Sequence, residues 1–198
     1  MSTAANPYTT PDATLESGVE PSIYDPDIFS FSGRIGRMRY IAYMFGTYIC
    51  WMILMFIAVM VTGATSALAV GDISAFTIPV IVSMGLGYLA LIVFWTMYGK
   101  RRLNDLNRSG WWVLIYFVPT LLSFINPMLG LLAILSIPLA IYMIFFPGKS
   151  EGNSYGPPPS QNSTGVLILA GIAIAFTVLG IVGIVAAIAI PQMAGMPQ

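Results

Sequence analysis

The sequence predicts an all-α, polytopic membrane helical bundle of five spans, the third and fourth forming a tight hairpin, with the N-terminus in the cytoplasm and the C-terminus outside. Three observations carry this expectation. Hydrophobic residues make up 57% of the 198 residues and the mean hydropathy is +0.83, well above the roughly 45–50% apolar content of soluble chains. Five long apolar segments contain no charged residue, as expected where a charge at mid-bilayer costs about 2.5–3.5 kcal/mol on the insertion scale. Finally, all eight basic residues fall between segments on a single side of a five-span arrangement.

Residues 1–30 hold Asp12, Glu16, Glu20, Asp25 and Asp27 but no Lys or Arg. They lack the basic start and short apolar core of a signal peptide, so the N-terminus is expected to stay uncleaved. With few large apolar side chains to offset its ordering entropy, this stretch reads as a disordered acidic cytoplasmic tail. A membrane domain of four spans follows over residues 31–159, and residues 160–198 read as a linker with one additional helix.

The spans are Tyr40 to Val61, Ile78 to Tyr98, Trp111 to Ile125, Met128 to Phe146 and Gly165 to Ile190. As α-helices they measure roughly 33, 31, 22, 28 and 39 Å, against a hydrocarbon core of about 30 Å. Asn126-Pro127 separates the third from the fourth, because a helix running from Trp111 to Phe146 would reach about 54 Å and Asn-Pro disfavours helix at the junction. Pro119 and Pro138 then lie inside spans and are expected to kink them.

Arg34, Arg37, Arg39, Lys100, Arg101, Arg102, Arg108 and Lys149 share one side, which the positive-inside rule makes cytoplasmic. Asp72 is left as the one charged residue outside, whereas a four-span arrangement would move Lys149 outward. Trp95, Trp111 and Trp112 are expected as interface anchors beside the basic loop. In that loop a short helical turn would let Asp105 bond one or more of Arg101, Arg102 and Arg108. Ser109 is placed to cap the next span.

The loop RRLNDLNRSGWW, Arg101 to Trp112, resembles the signature of a bacterial family called domain of unknown function 805. FSGRIGRMRY, with Phe31, Gly33, Arg34, Arg37 and Tyr40, resembles that family's entry to its first span. PGKSEGNSYGPPP, with Pro147, Gly148, Gly152, Asn153, Tyr155, Gly156 and Pro159, resembles its closing segment. Order and spacing agree over Phe29 to Pro159, and the resemblance implies a small integral protein of the bacterial inner membrane without an established activity. Asn104 stands where the family usually has His, which removes any proton relay or imidazole metal ligand at that position.

All three motifs fall on the cytoplasmic side, so Arg34, Arg37, Arg102, Asp105, Arg108, Asn153 and Tyr155 are candidates for one polar cluster. Arginines at a membrane face serve as orientation signals, and a guanidinium also binds lipid phosphate or a partner's carboxylate bidentately. The acidic tail could fold back onto this surface. On the last span Gly171 with Ala175, and Gly183 with Ala187, form small-xxx-small pairs that let another helix approach, within this chain or from a second copy. GIVGIVAAIAIPQM, Gly180 to Met193, resembles the apolar stem of type IV pilins, but with no leader site or globular head a pilin is not inferred.

No catalytic constellation, cofactor cradle or metal-ligand cluster is visible: histidine is absent, Cys50 is the single cysteine, and GRIG lacks the strand and third glycine of a dinucleotide fingerprint. Net charge is zero, giving no field for nucleic acid. Enzymatic activity is not expected. The expected role is that of a small scaffold or accessory subunit, its partners being anionic membrane lipids, further copies of itself or another membrane protein. The alternative is an oligomeric channel or a lipid or solute transporter, although no span carries the ionisable residue that ion coupling ordinarily uses.

Overall fold

The computed structural model describes residues 23–62 and 78–194. Asp72 and residues 1–22 of the acidic tail lie outside them. Among the described residues five α-helices and two 3₁₀ segments succeed one another: α1 (Arg37–Thr62), α2 (Ile78–Asp105), a 3₁₀ segment Gly110–Tyr116, α3 (Val118–Ser123), a second 3₁₀ segment Pro127–Leu135, α4 (Ser136–Phe145) and α5 (Thr164–Ala194). Among the described residues, β-structure is confined to two isolated bridges.

α1 and α2 form the central pair. They run antiparallel, since Tyr43 near the start of α1 packs its ring on Tyr98 near the end of α2, with centroids 5.3 Å apart. α5 packs along α1, and the hairpin of residues 110–145 packs on α2. Among the described residues, four helical stretches are long and apolar enough to cross a membrane: Arg37–Val61, Val80–Asp105, Pro127–Phe145 and Thr164–Ile190. Large apolar side chains such as Phe56, Leu86, Leu131 and Leu179 project outward along all four. Water does not tolerate so large an apolar surface, whereas hydrocarbon does.

The third expected span is not a full-length α-helix. Ser109 accepts a hydrogen bond from the Trp111 amide and starts a 3₁₀ turn, and the six-residue α3 follows; together they reach about 23 Å. Asn126 then caps the Met128 amide at 3.0 Å, with Pro127 as first residue of the next 3₁₀ segment. The expected proline kinks are replaced by restarts: Pro119 is the second residue of α3 and Pro138 the third of α4. At those positions the missing N–H has no intrahelical acceptor to lose.

The hairpin leaves the end of α2 and returns to it. The Lys149 amide donates to the Asp105 carbonyl at 3.1 Å, so the loop after α2 and the segment after α4 lie at the same end of the molecule. The buried core sits there too, formed by Ile35, Tyr40, Met97, Tyr98, Leu103, Leu106, Val113 and Met143. Packing inside this chain is therefore densest at the basic end.

Two expectations are corrected by packing. The disordered tail does not extend to residue 30, because the Tyr24 amide bonds the Pro158 carbonyl at 3.1 Å and the Ser160 amide bonds the Tyr24 carbonyl at 2.7 Å. On α5, the residues buried are Ala170 and Ala173, with Leu169 over Gly46 and Phe176 beside Phe45. Gly171, Ala175, Gly183 and Ala187 are exposed instead, so among the described residues those small-residue pairs make no close helix contact, and of the two expected approaches the one from a second copy is left open.

Candidate binding face at the basic end

Helix α2 ends in Arg101, Arg102, Leu103, Asn104 and Asp105, and every one of these is buried. Buried charges are tolerated only when paired and fully hydrogen-bonded, and the structure meets that condition at Asp105. Arg34, just ahead of α1, donates from Nε and Nη2 to Asp105 Oδ1 at 3.1 and 3.0 Å. Arg102 donates from Nη1 to Asp105 Oδ2 at 2.6 Å. The carboxylate thus joins two guanidiniums whose side chains are wholly shielded from solvent.

The remaining donors of these arginines hold the closing segment and the end of α4. Arg34 Nη1 donates to the carbonyls of Glu151 and Gly156 at 2.8 and 3.0 Å, and its Nη2 also donates to Lys149 O. Five donors and five bonds leave that guanidinium with no N–H to offer a ligand. Arg102 Nε donates to Met143 O at 2.7 Å and its Nη2 to Phe146 O. These carbonyls are unpaired at the C-terminus of α4, where the helix dipole also favours a cation. Gly148 is required for the closure, since a Cβ there would lie 1.8 Å from Asp105 Oδ2.

Asparagines complete the clasp. Asn104 Nδ2 donates to Gly33 O at 3.2 Å, and Asn153 Nδ2 donates to Asn104 O at 2.8 Å. The Asn153 Oδ1 accepts the Tyr155 amide at 2.8 Å, tightening the turn that presents Gly156 to Arg34. The three motifs over Phe31 to Tyr40, Arg101 to Trp112 and Pro147 to Pro159 therefore meet in one place, although they are far apart in sequence.

Of the candidate residues, Arg34, Arg102, Asp105 and Asn153 are brought together, but facing one another. Arg37, Arg108 and Tyr155 stay exposed. Arg37 Nη1 makes one long contact to Phe145 O, at 3.4 Å. A side-chain hydrogen bond with Tyr142 raises the Arg108 pKa above its ordinary value. Trp111 and Trp112 are 78% and 54% exposed. Trp95 is half-buried and borders a small cavity together with Tyr40, Met44 and Tyr116.

Sequence reasoning did not single out Arg39 and Arg101 as site residues. Arg39 donates to Ser160 Oγ, Ser160 O and Gln161 O at 2.8, 3.1 and 2.9 Å and lies 3.5 Å from the Asp25 carboxylate. Arg101 is fully buried and donates to Asp27 O at 2.6 Å. The N-terminal segment from Tyr24 to Asp27 thus rests on two arginines, which places this part of the acidic tail on the basic surface. The available signal was a closing stretch rich in Pro and Gly, whose carbonyls lack helix or sheet partners and so suit arginine forks.

A model of the family described as "Protein of unknown function (DUF805)" matches residues 28–157, a stretch that begins just after the docked N-terminal segment and ends in the closing segment. No curated protein and no solved structure matches the chain. With more than half of its length matched, and with the match taking in the first two motifs whole and the third as far as residue 157, the chain belongs to this family of proteins of unknown function.

Proposed function

We propose that the protein is a bacterial inner-membrane protein of five crossings, N-terminus inside, acting as a small scaffold or accessory subunit that holds anionic lipid at its cytoplasmic basic face. The observation that carries this reading is the division of labour among the cations. Arg34, Arg39, Arg101 and Arg102 are buried and engaged internally, which leaves exposed Arg37, Arg108 and Lys149 beside outward-facing Trp111 and Trp112. Arg108 stands over an apolar groove of about 290 Å³ bordered by Leu103, Trp112, Pro138 and Leu139, a pairing of cation and apolar cleft suited to a headgroup and its acyl chain. The same-end return of the hairpin supports two short crossings between Gly110 and Phe145, and local bilayer thinning accommodates the shorter one.

Purification from native membranes with mass spectrometry of co-purifying lipids tests this. The wild-type protein is expected to be enriched in anionic lipid relative to bulk membrane, and a combined Arg37→Gln, Arg108→Gln, Lys149→Gln variant to lose the enrichment. Equal enrichment in both, or a stoichiometric protein partner that the variant releases, overturns the lipid reading. For the orientation, Asn107→Cys in a Cys50→Ser background should react with an impermeant thiol reagent only from the cytoplasmic side.

A further inference from the structure

The basic end contains a cavity of about 590 Å³ beside the clasp, set between the end of α2, the Ser109–Leu114 segment and the Phe31–Gly33 turn. Ser32, Thr96, Lys100, Asn104, Ser109 and Tyr155 supply its polar lining, while Trp111 and Leu114 belong to its apolar part. Among the described residues no carboxylate borders it, so Lys100 gives this lining a net positive charge. Among the described residues Lys100 has no ion-pair partner. Its stem is laid over Gly110, where a Cβ would come 2.3 Å from Lys100 Cγ, so glycine at this position is what admits the lysine.

An independent observation comes from Asn104. Only 4% of this residue is exposed, its Nδ2 is bonded to Gly33 O, and its Oδ1 is buried without a hydrogen-bond partner. Buried acceptors are nearly always satisfied, and one that is not asks for an explanation. Here the orphan acceptor belongs to a residue lining a cavity whose one charge is a cation.

We propose that this cavity binds a phosphate ester carrying a neighbouring hydroxyl, the phosphate facing the Lys100 ammonium and the hydroxyl donating to Asn104 Oδ1. An ammonium donor would serve Asn104 equally well but would be repelled by Lys100, so a glycerol-type headgroup fits and an ethanolamine one does not. The apolar wall of Trp111 and Leu114 suits the glycerol backbone and the first acyl carbons of a lipid. The same chemistry exists in the soluble headgroup ester. This deepens the anionic-lipid reading by naming one defined site, and it relies on Lys100 rather than on Arg37, Arg108 and Lys149.

The test uses the full-length protein in phosphatidylcholine nanodiscs, with native mass spectrometry counting retained phosphatidylglycerol, phosphatidic acid, phosphatidylethanolamine or soluble glycerophosphoglycerol. One phosphatidylglycerol is expected to be held most strongly, and Lys100→Met to weaken it by about tenfold or more. Asn104→Leu is expected to remove the preference for phosphatidylglycerol over phosphatidic acid, which has no headgroup hydroxyl. The Arg37/Arg108/Lys149 variant should keep this one lipid while losing general enrichment, which separates the two readings. Displacement of the lipid by glycerophosphoglycerol assigns the site to the free ester, and failure to displace assigns it to the lipid. Unchanged retention in Lys100→Met, or phosphatidylethanolamine held as well as phosphatidylglycerol, overturns the proposal; should Asn104→Leu fail to fold, the Lys100 comparison decides alone.

Discussion

Asp105→Asn removes one negative charge from the centre of the clasp while leaving its volume almost unchanged. In the native structure the carboxylate accepts from Arg34 Nε and Nη2 at 3.1 and 3.0 Å and from Arg102 Nη1 at 2.6 Å, and both guanidiniums are shielded from solvent. An amide can accept on one side only, so its NH₂ would confront an arginine donor on the other. Replacing a whole buried ion pair by apolar residues is often neutral, but deleting a single partner costs about 3–5 kcal/mol because the opposite charge stays buried. For a chain of this size that corresponds to a fall of about 6–20 °C in the unfolding midpoint. Thermal unfolding in detergent micelles measures it, and a double-mutant cycle with Arg34→Gln isolates the pair. A shift under 2 °C for Asp105→Asn, with no coupling to Arg34, would refute the claim that this carboxylate holds the basic end together.

Gly148→Ala should be disproportionately costly for one methyl group: its Cβ would sit 1.8 Å from Asp105 Oδ2, a carboxylate fixed by two arginines, so a loss at the upper end of the about 1–3 kcal/mol typical of overpacking is expected. The same thermal assay reads it, and wild-type stability would show that the closing segment can move away freely. Arg101→Gln removes the 2.6 Å bond to Asp27 O. Amide exchange at Tyr24 and Ser160, which bond across to the closing segment, should accelerate by about tenfold or more; unchanged exchange would mean that Arg101 does not dock the N-terminal segment.

Membrane character was fully legible in the sequence, because it follows from composition: uncharged runs of the right length need no tertiary information to be assigned to hydrocarbon. The gathering of the basic motifs was legible for the same reason, since charges excluded from the spans must collect at their ends. Which arginines bind outward and which bind inward could not be read from residue type. Arg34 and Arg37 are three residues apart, yet one is fully buried with every N–H engaged and the other is exposed. That difference depends on where the closing segment places its carbonyls, a contact made across more than a hundred residues.

The Asn-Pro break in the hairpin was a local signal and the structure has it, with Asn126 as cap. The 3₁₀ geometry of its arms was not, because it reflects packing between the arms and against α2 rather than helix propensity. Likewise the small residues of α5 offered two faces to α1, and packing chose Ala170 and Ala173 over Gly171 and Ala175. The amino-acid sequence by itself determined the solvent this protein requires and the end at which its charge gathers, since both depend on transfer energies that belong to single residues. Only the tertiary structure decided that Asp105 locks two arginines away while Lys100 and Asn104 are left bordering an open cavity, since satisfaction of a hydrogen bond belongs to a pair of groups and to the fold that brings them together.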